Sequence, residues 1–273
     1  MNPLVPLLMA TGIAVSASTG ASAQQTLLSK HCETTRPTVD ILLVDHTGIY
    51  DSIDQQRFAG GMNRVFAELR PGRRFEVYLI KENANALAPV FSACVPGCAE
   101  EIEDGESNWS SVCSSLRTQQ DKRSFQGAFV QIMRELVGSS VAEEGTAILE
   151  TLGQLGVQYR DTRESIQRIT IFSDMLEFSG QNKAINGFDV ENAAALFKRS
   201  QKVVAEKSPF KATAIVVFGI GKRLGQENLV KEKSKAEAEL PLAAANAFRD
   251  FWRRSFTEVL EIPENRVVLT LNY

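Results

Sequence analysis

Val39-Asp40-Ile41-Leu42-Leu43-Val44 runs straight into Asp45-His46-Thr47-Gly48, and the reading of this stretch decides the fold. An almost unbroken apolar, β-branched run of that length reads as a strand buried on both faces, as strands of parallel sheets are. The Asp-His-Thr-Gly that follows is a turn. Asp54 to Leu69 then spaces Phe58, Met62, Val65, Phe66 and Leu69 at helical intervals. Arg70-Pro71-Gly72 stops that helix, and Phe75 to Ile80 reads as the next strand. Strand, helix, strand is the β-α-β unit, whose right-handed crossover sets neighbouring strands parallel.

Further along, the same alternation continues. Residues 81–119 lose periodicity and carry Pro89, Pro96, Gly97, three cysteines and the acidic run Glu100 to Glu106, so they read as an irregular insertion with a short edge strand near Ala88 to Ala93. Ser124 to Leu136 predicts a helix with Phe125, Phe129, Ile132, Met133 and Leu136 on one face, and helical character resumes from Val141 to Leu155. Ile169 to Phe172 and Ala212 to Phe218 are further buried strands, separated by a helix over Val190 to Ala205. Lys222 to Glu239 mixes Lys with Glu and reads as a solvated segment. A strongly amphipathic helix from Ala243 to Leu260 and a strand from Arg266 to Leu271 complete the chain. The predicted class is α/β, a doubly wound and mostly parallel sheet with helices on both faces.

Before the first strand, the first 23 residues carry no charged side chain. The apolar stretch Leu4 to Val15 leads into a small, polar run ending Ala21-Ser22-Ala23, which has the form of a signal peptide cleaved before Gln24. Residues 24–38 are then an N-terminal arm, and residues 39–273 one domain. No second apolar run reaches spanning length, so the expectation is an exported chain, soluble in a periplasmic or extracellular compartment. Cys32, Cys94, Cys98 and Cys113 are even in number and suit disulfides in such a compartment. Either Cys94 pairs with Cys98, leaving Cys32 to Cys113, or Cys32 ties the arm to one of the close pair. A four-cysteine zinc site is the rival reading of the Cys-x3-Cys spacing. A net charge of −3 argues against a nucleic-acid surface, and 44% hydrophobic residues with 15 phenylalanines argue against disorder.

In doubly wound sheets, ligands sit outside the carboxyl ends of the strands. Two predicted strands end in a carboxylate there, Asp45 and Asp174, with Thr47 beside the first and Ser124 read as opening a helix. Two carboxylates and two hydroxyls make a hard oxygen site that suits Mg2+, Mn2+ or Ca2+. Taken singly, Asp45, Asp174 and Ser124 also read as ordinary helix N-caps.

The order Asp45-His46-Thr47-Gly48-Ile49, then Ser124-Phe125-Gln126-Gly127-Ala128, then Phe172-Ser173-Asp174, on alternating strands and helices, resembles the von Willebrand factor type A family and its metal-ion-dependent adhesion site. Phe218-Gly219-Ile220-Gly221 is similar to the glycine-bearing end of that family's following strand. The resemblance spans roughly residues 39–273. It implies a protein-binding domain in which Thr47 and Ser124 ligate the metal directly, with Asp45 and Asp174 acting directly or through water. The open coordination position would take a carboxylate from a protein partner. One departure is Ile49, which stands where the family has a second serine. A site lacking that serine would still bind metal through Thr47, Ser124 and water, with Asp51 or Asp54 helping; a metal-free interaction surface on the same edge is the companion reading.

Two other classes compete. Asp45-His46-Thr47-Gly48 also looks like the Asp-x-Thr-Gly turn of phosphatases with an aspartyl nucleophile, of the haloacid-dehalogenase type, with Ser173 as a second motif. Gly219-Ile220-Gly221-Lys222, where the acidic pair of that family belongs, counts against it. A structural subunit of an envelope assembly, with no ligand at the edge, is the third reading. Gly219-x-Gly221 is a weak dinucleotide-loop signal with no acidic partner, and no Gly-x-Ser-x-Gly elbow occurs.

Overall fold

The structure, a computed structural model, describes residues 30–32, 37–47, 50, 52–84, 87–98, 115–139, 146–176, 193–220 and 242–270. The expected leader, Gly48, Ile49, Asp51, the acidic run, Cys113 and the charged segment 222–239 lie outside these residues.

Six strands form one sheet: β1 (Thr38–Asp45), β2 (Arg74–Ile80), β3 (Phe91–Cys94), β4 (Ser165–Phe172), β5 (Ala214–Phe218) and β6 (Val267–Thr270). Their order is β3-β2-β1-β4-β5-β6. All pairings are parallel except that of the edge strand β3 with β2. The sheet is therefore doubly wound: from the central β1 the chain first builds outward through β2, then returns to place β4 on the other side. A ligand crevice belongs at the carboxyl ends of strands flanking such a reversal, here β1 and β4.

The odd residues of β1, Val39, Ile41 and Leu43, pack in a core with α3 (Ile148–Arg160), α4 (Ala193–Val203) and α5 (Leu242–Arg254). Leu42 and Val44 face the opposite core, built with α1 (Ser52–Glu68) and α2 (Ser115–Gly138). Both faces are covered, which is why β1 reads as a continuous apolar run.

Helix α2 starts at Ser115, nine residues before the expected boundary at Ser124. Its first turns, rich in Gln, Lys and Arg, are good helix formers without an apolar stripe, so periodicity alone starts the helix too late. The segment expected to resume helix at Val141 instead has Thr146 and Ala147 outside the helix, which begins at Ile148.

Cys32 is bonded to Cys94, 62 residues away, fastening the N-terminal arm to β3. Cys94 therefore does not close a small loop with Cys98, which is itself disulfide-bonded. No described cysteine is free, which removes the zinc reading. His31, buried next to this bridge, lies 2.9 Å from Asp121 of α2 and adds a polar tie to the covalent one.

Besides Asp45 at the end of β1, two buried carboxylates lie in the central strands. Glu76 on β2 accepts hydrogen bonds from Tyr78 (2.6 Å), Tyr159 of α3 (2.5 Å) and Ser92 of β3 (3.0 Å). Burial and the neighbouring Glu76 push both tyrosines up from their ordinary range, so they remain protonated donors. This network seats α3 on β2. Asp40 on β1 is the second, with Arg73 Nη1 at 3.3 Å. Burial raises the Asp40 carboxyl above its ordinary value despite the opposing charge of Arg73. A raised folded-state value means that this group favours folding below the ordinary carboxylate range and loses that contribution as pH rises through the folded value. Asp40→Asn is accordingly expected to be as stable as the wild type or more so at pH 7. Its advantage should disappear on acidification towards pH values at which Asp40 is neutral, as followed by urea unfolding at a series of pH values.

Candidate functional site at the carboxyl edge of the sheet

Sheet-like hydrogen bonds continue past the strand ends and align the loops there. His46 N–H donates to Ile80 O (3.1 Å), Ala147 N–H to Lys81 O (2.9 Å) and Ser173 N–H to Phe218 O (3.2 Å). The turns after β1 and β4 and the approach to α3 thus meet at one edge. Tyr50 closes the β1 turn from below, its hydroxyl donating to Asp45 O (2.5 Å), while its ring packs on Phe58 and Phe172.

At this edge four side chains form one hydrogen-bonded cluster. Asp45 is only 1% exposed. Its Oδ1 accepts from the Thr47 N–H (3.0 Å) and the Thr47 hydroxyl (2.6 Å), and its Oδ2 from the Ser173 hydroxyl (2.6 Å). Thr47 Oγ1 lies 2.6 Å from Thr146 Oγ1. Each hydroxyl has one proton, so the directions are fixed. Thr47 gives its proton to Asp45, hence Thr146 donates to Thr47. Ser173 gives its proton to Asp45 and accepts the Met175 N–H (2.8 Å). All three hydroxyl protons run along a chain that ends on the carboxylate, and each threonine oxygen keeps acceptor capacity.

Of the residues expected from the sequence, Asp45 and Thr47 meet here. Asp174 is at the same edge, after β4, partly exposed, with Oδ1 accepting the Leu176 N–H (2.9 Å) within its own turn. Ser124 does not join them. It lies inside α2, exposed, and opens no helix. The α2 end that reaches the edge is the other one, where Ser139 Oγ is 3.4 Å from His46 Nε2. At 1.5 Å per residue, Ser124 stands roughly 20 Å back along the helix. Asp54 is buried in the first turn of α1.

The residue that takes the expected place of Ser124 is Thr146. The available signal was Gly145-Thr146 ahead of Ala147-Ile148-Leu149, a break followed by a new apolar start. Ser173, adjacent to a carboxylate already singled out, is the other addition to the cluster. Among the described residues no group of three or more His, Cys, Asp or Glu side chains could hold a metal. Any cation here would rest on hydroxyls with a carboxylate behind them.

No protein-family model matches the chain, and no curated protein matches it. Among solved structures, proximal thread matrix protein 1 from the mussel byssus overlaps 84% of this chain and 48% of its own, at 11% identity and a TM-score of 0.34. A von Willebrand factor type A protein from Catenulispora acidiphila overlaps 82% of this chain and 43% of its own, at 15% identity and a TM-score of 0.33. The chain thus spans less than half the length of either structure. The α/β class rests on the six-stranded sheet itself.

Proposed function

We propose that this is an exported, von Willebrand A-like domain that binds a protein partner through the edge formed by Asp45, Thr47, Thr146, Ser173 and Asp174. The observation that carries the reading is the direction of the hydroxyl protons. A buried carboxylate that takes the hydroxyl protons of Thr47 and Ser173 leaves the two threonine oxygens with acceptor capacity, an arrangement that favours a hard cation. The donor set fits Mg2+, Mn2+ or Ca2+, with Thr47 and Thr146 as direct ligands and Asp45 and Asp174 supporting them directly or through water. When bound, the ion supplies an open coordination position for a carboxylate of the partner. Thr47 is held for this by its bonds to Asp45, and Thr146 by the anchoring of Ala147 to Lys81.

A metal-free interface on the same edge is the second reading, favoured by the bonds that both Asp45 oxygens already accept. The same bonds weigh against the phosphatase reading, because a 1% exposed carboxylate held by three donors is poorly placed for in-line attack. Export is supported by the uncharged leader and the Cys32–Cys94 bridge. No helix among the described residues is long and apolar enough to cross a membrane. An N-terminus at Gln24 in secreted material would agree with it.

Thermal unfolding with and without millimolar Mg2+, Mn2+ or Ca2+ tests the metal. A ligand at a hundredfold excess over its Kd stabilises by about 2.7 kcal/mol. The expected result is a rise in the wild type that is absent in Thr146→Val, a change that leaves Asp45 and its three donors in place. An unshifted wild type would leave the metal-free interface.

A further inference from the structure

Helices α1 and α2 lie on one face of the sheet and run in opposite directions. They meet at Phe66, whose ring centroid is 6.0 Å from that of Phe125 and 6.1 Å from that of Phe129. Towards the other end α1 offers Gln55 and Ala59, and α2 finishes at Gly138; these residues are too small or too polar to fill the space between. A cleft of about 470 Å3 results. Sites for small organic ligands are typically about 300–1,000 Å3.

The chemistry of the cleft is one-sided. Phe58 and Met62 from α1 and Phe129 and Met133 from α2 form its floor, and methionine adapts to apolar ligands of varied shape. Val130 on its wall is left 37% exposed. Among the described residues that line it none is Asp or Glu, and the one charged side chain is Arg134. Arg134 makes no ion pair or hydrogen bond among the described residues, whereas its neighbour Glu135 is engaged by Gln131 (3.0 Å). An apolar trough with one uncommitted guanidinium on its wall complements a ligand with an apolar body and a single anionic end.

We propose that the cleft between α1 and α2 binds a fatty carboxylate or similar single-chain amphiphile, its chain between the helices and its head group on Arg134. The site is separate from the Asp45 cluster and needs no metal.

The test is calorimetric titration of the full chain with dodecanoate, dodecylammonium and dodecanol, each below the concentration at which it self-associates. Dodecanoate is expected to bind saturably and more tightly than the other two. Arg134→Gln should weaken it by about tenfold, the loss of one charge-assisted hydrogen bond. Arg134→Glu, a surface change that leaves the cleft open, should reverse the preference towards dodecylammonium. Ala59→Phe combined with Val130→Phe, both at exposed positions, should block uptake while leaving ligand-free thermal unfolding unchanged. The proposal is overturned by absence of saturable dodecanoate binding, by equal affinity for all three amphiphiles, or by undiminished binding in the double variant. Should that variant unfold, the Arg134 pair still decides the matter.

Discussion

Trp252→Ala is expected to remove about 5 kcal/mol of stability, comparable with the entire margin of many domains. Trp252 is fully buried, with ring centroids 5.2 Å from Phe251 and 5.7 Å from Phe256. Its truncation alone costs about 3–5 kcal/mol. The indole N–H also donates to Met175 O (3.0 Å), and stranding that carbonyl adds about 1–3 kcal/mol. Met175 is held at φ 64°, a left-handed conformation that a non-glycine residue adopts only when its surroundings enforce it. Its N–H donates in turn to Ser173, which bonds Asp45. Trp252 therefore props the candidate site from beneath. Trp252→Phe, which keeps most of the volume and loses the donor, should cost only the hydrogen-bond share. Urea unfolding separates the two, and an alanine variant within about 1 kcal/mol of the wild type would refute the account.

The second large effect reverses an ordinary rule. Glycine to alanine inside a helix normally gains about 1 kcal/mol. In α3, a Cβ on Gly156 would come within 2.4 Å of Glu206 O and 3.1 Å of Phe210, and one on Gly153 within 2.7 Å of Val203 O. The clashing atoms are backbone carbonyls, which cannot turn aside as a side chain can. Gly156→Ala should lower stability by about 2–3 kcal/mol, the scale of an overpacked core. Gly60 in α1 is the internal control, since a Cβ there meets nothing within 4 Å, and Gly60→Ala should show the usual gain. Equal signs for the two variants would mean that α3 does not sit against residues 203–210 as described.

The fold was largely legible because its strands are buried on both faces. Val39 to Val44, Phe75 to Ile80 and Ile169 to Phe172 carry apolar side chains on both faces, broken only by Asp40, Glu76 and Thr170, as strands of doubly covered parallel sheets do. Helices with an apolar stripe were equally plain, as Phe58, Met62 and Val65 show. Legibility failed where polar residues do the organising. The start of α2 carries its helical tendency in Gln, Lys and Arg, and has no stripe to display it. Asp45 and Thr47 could be paired from sequence because they are two residues apart on one turn. Thr146 could not, because its place depends on Ala147 bonding to Lys81, a contact between segments 66 residues apart. Ser124 looked equivalent by order along the chain, and only the direction of α2 shows it to be remote.

The Cys32–Cys94 bridge has a mechanical consequence. Tension applied to the arm at Cys32 and to the chain at β6 would enter through sulfur at β3 and leave at β6, the two opposite margins of the sheet. The covalent path then skips residues 33–93, so β1, β2 and the turn bearing Asp45 and Thr47 are not stretched along their own backbone, and until the sheet opens the load crosses them sideways through the hydrogen bonds that join β3 to β2, β2 to β1 and β1 to β4. A tether attached at these two points would peel the sheet from its margins and leave that turn without direct pull.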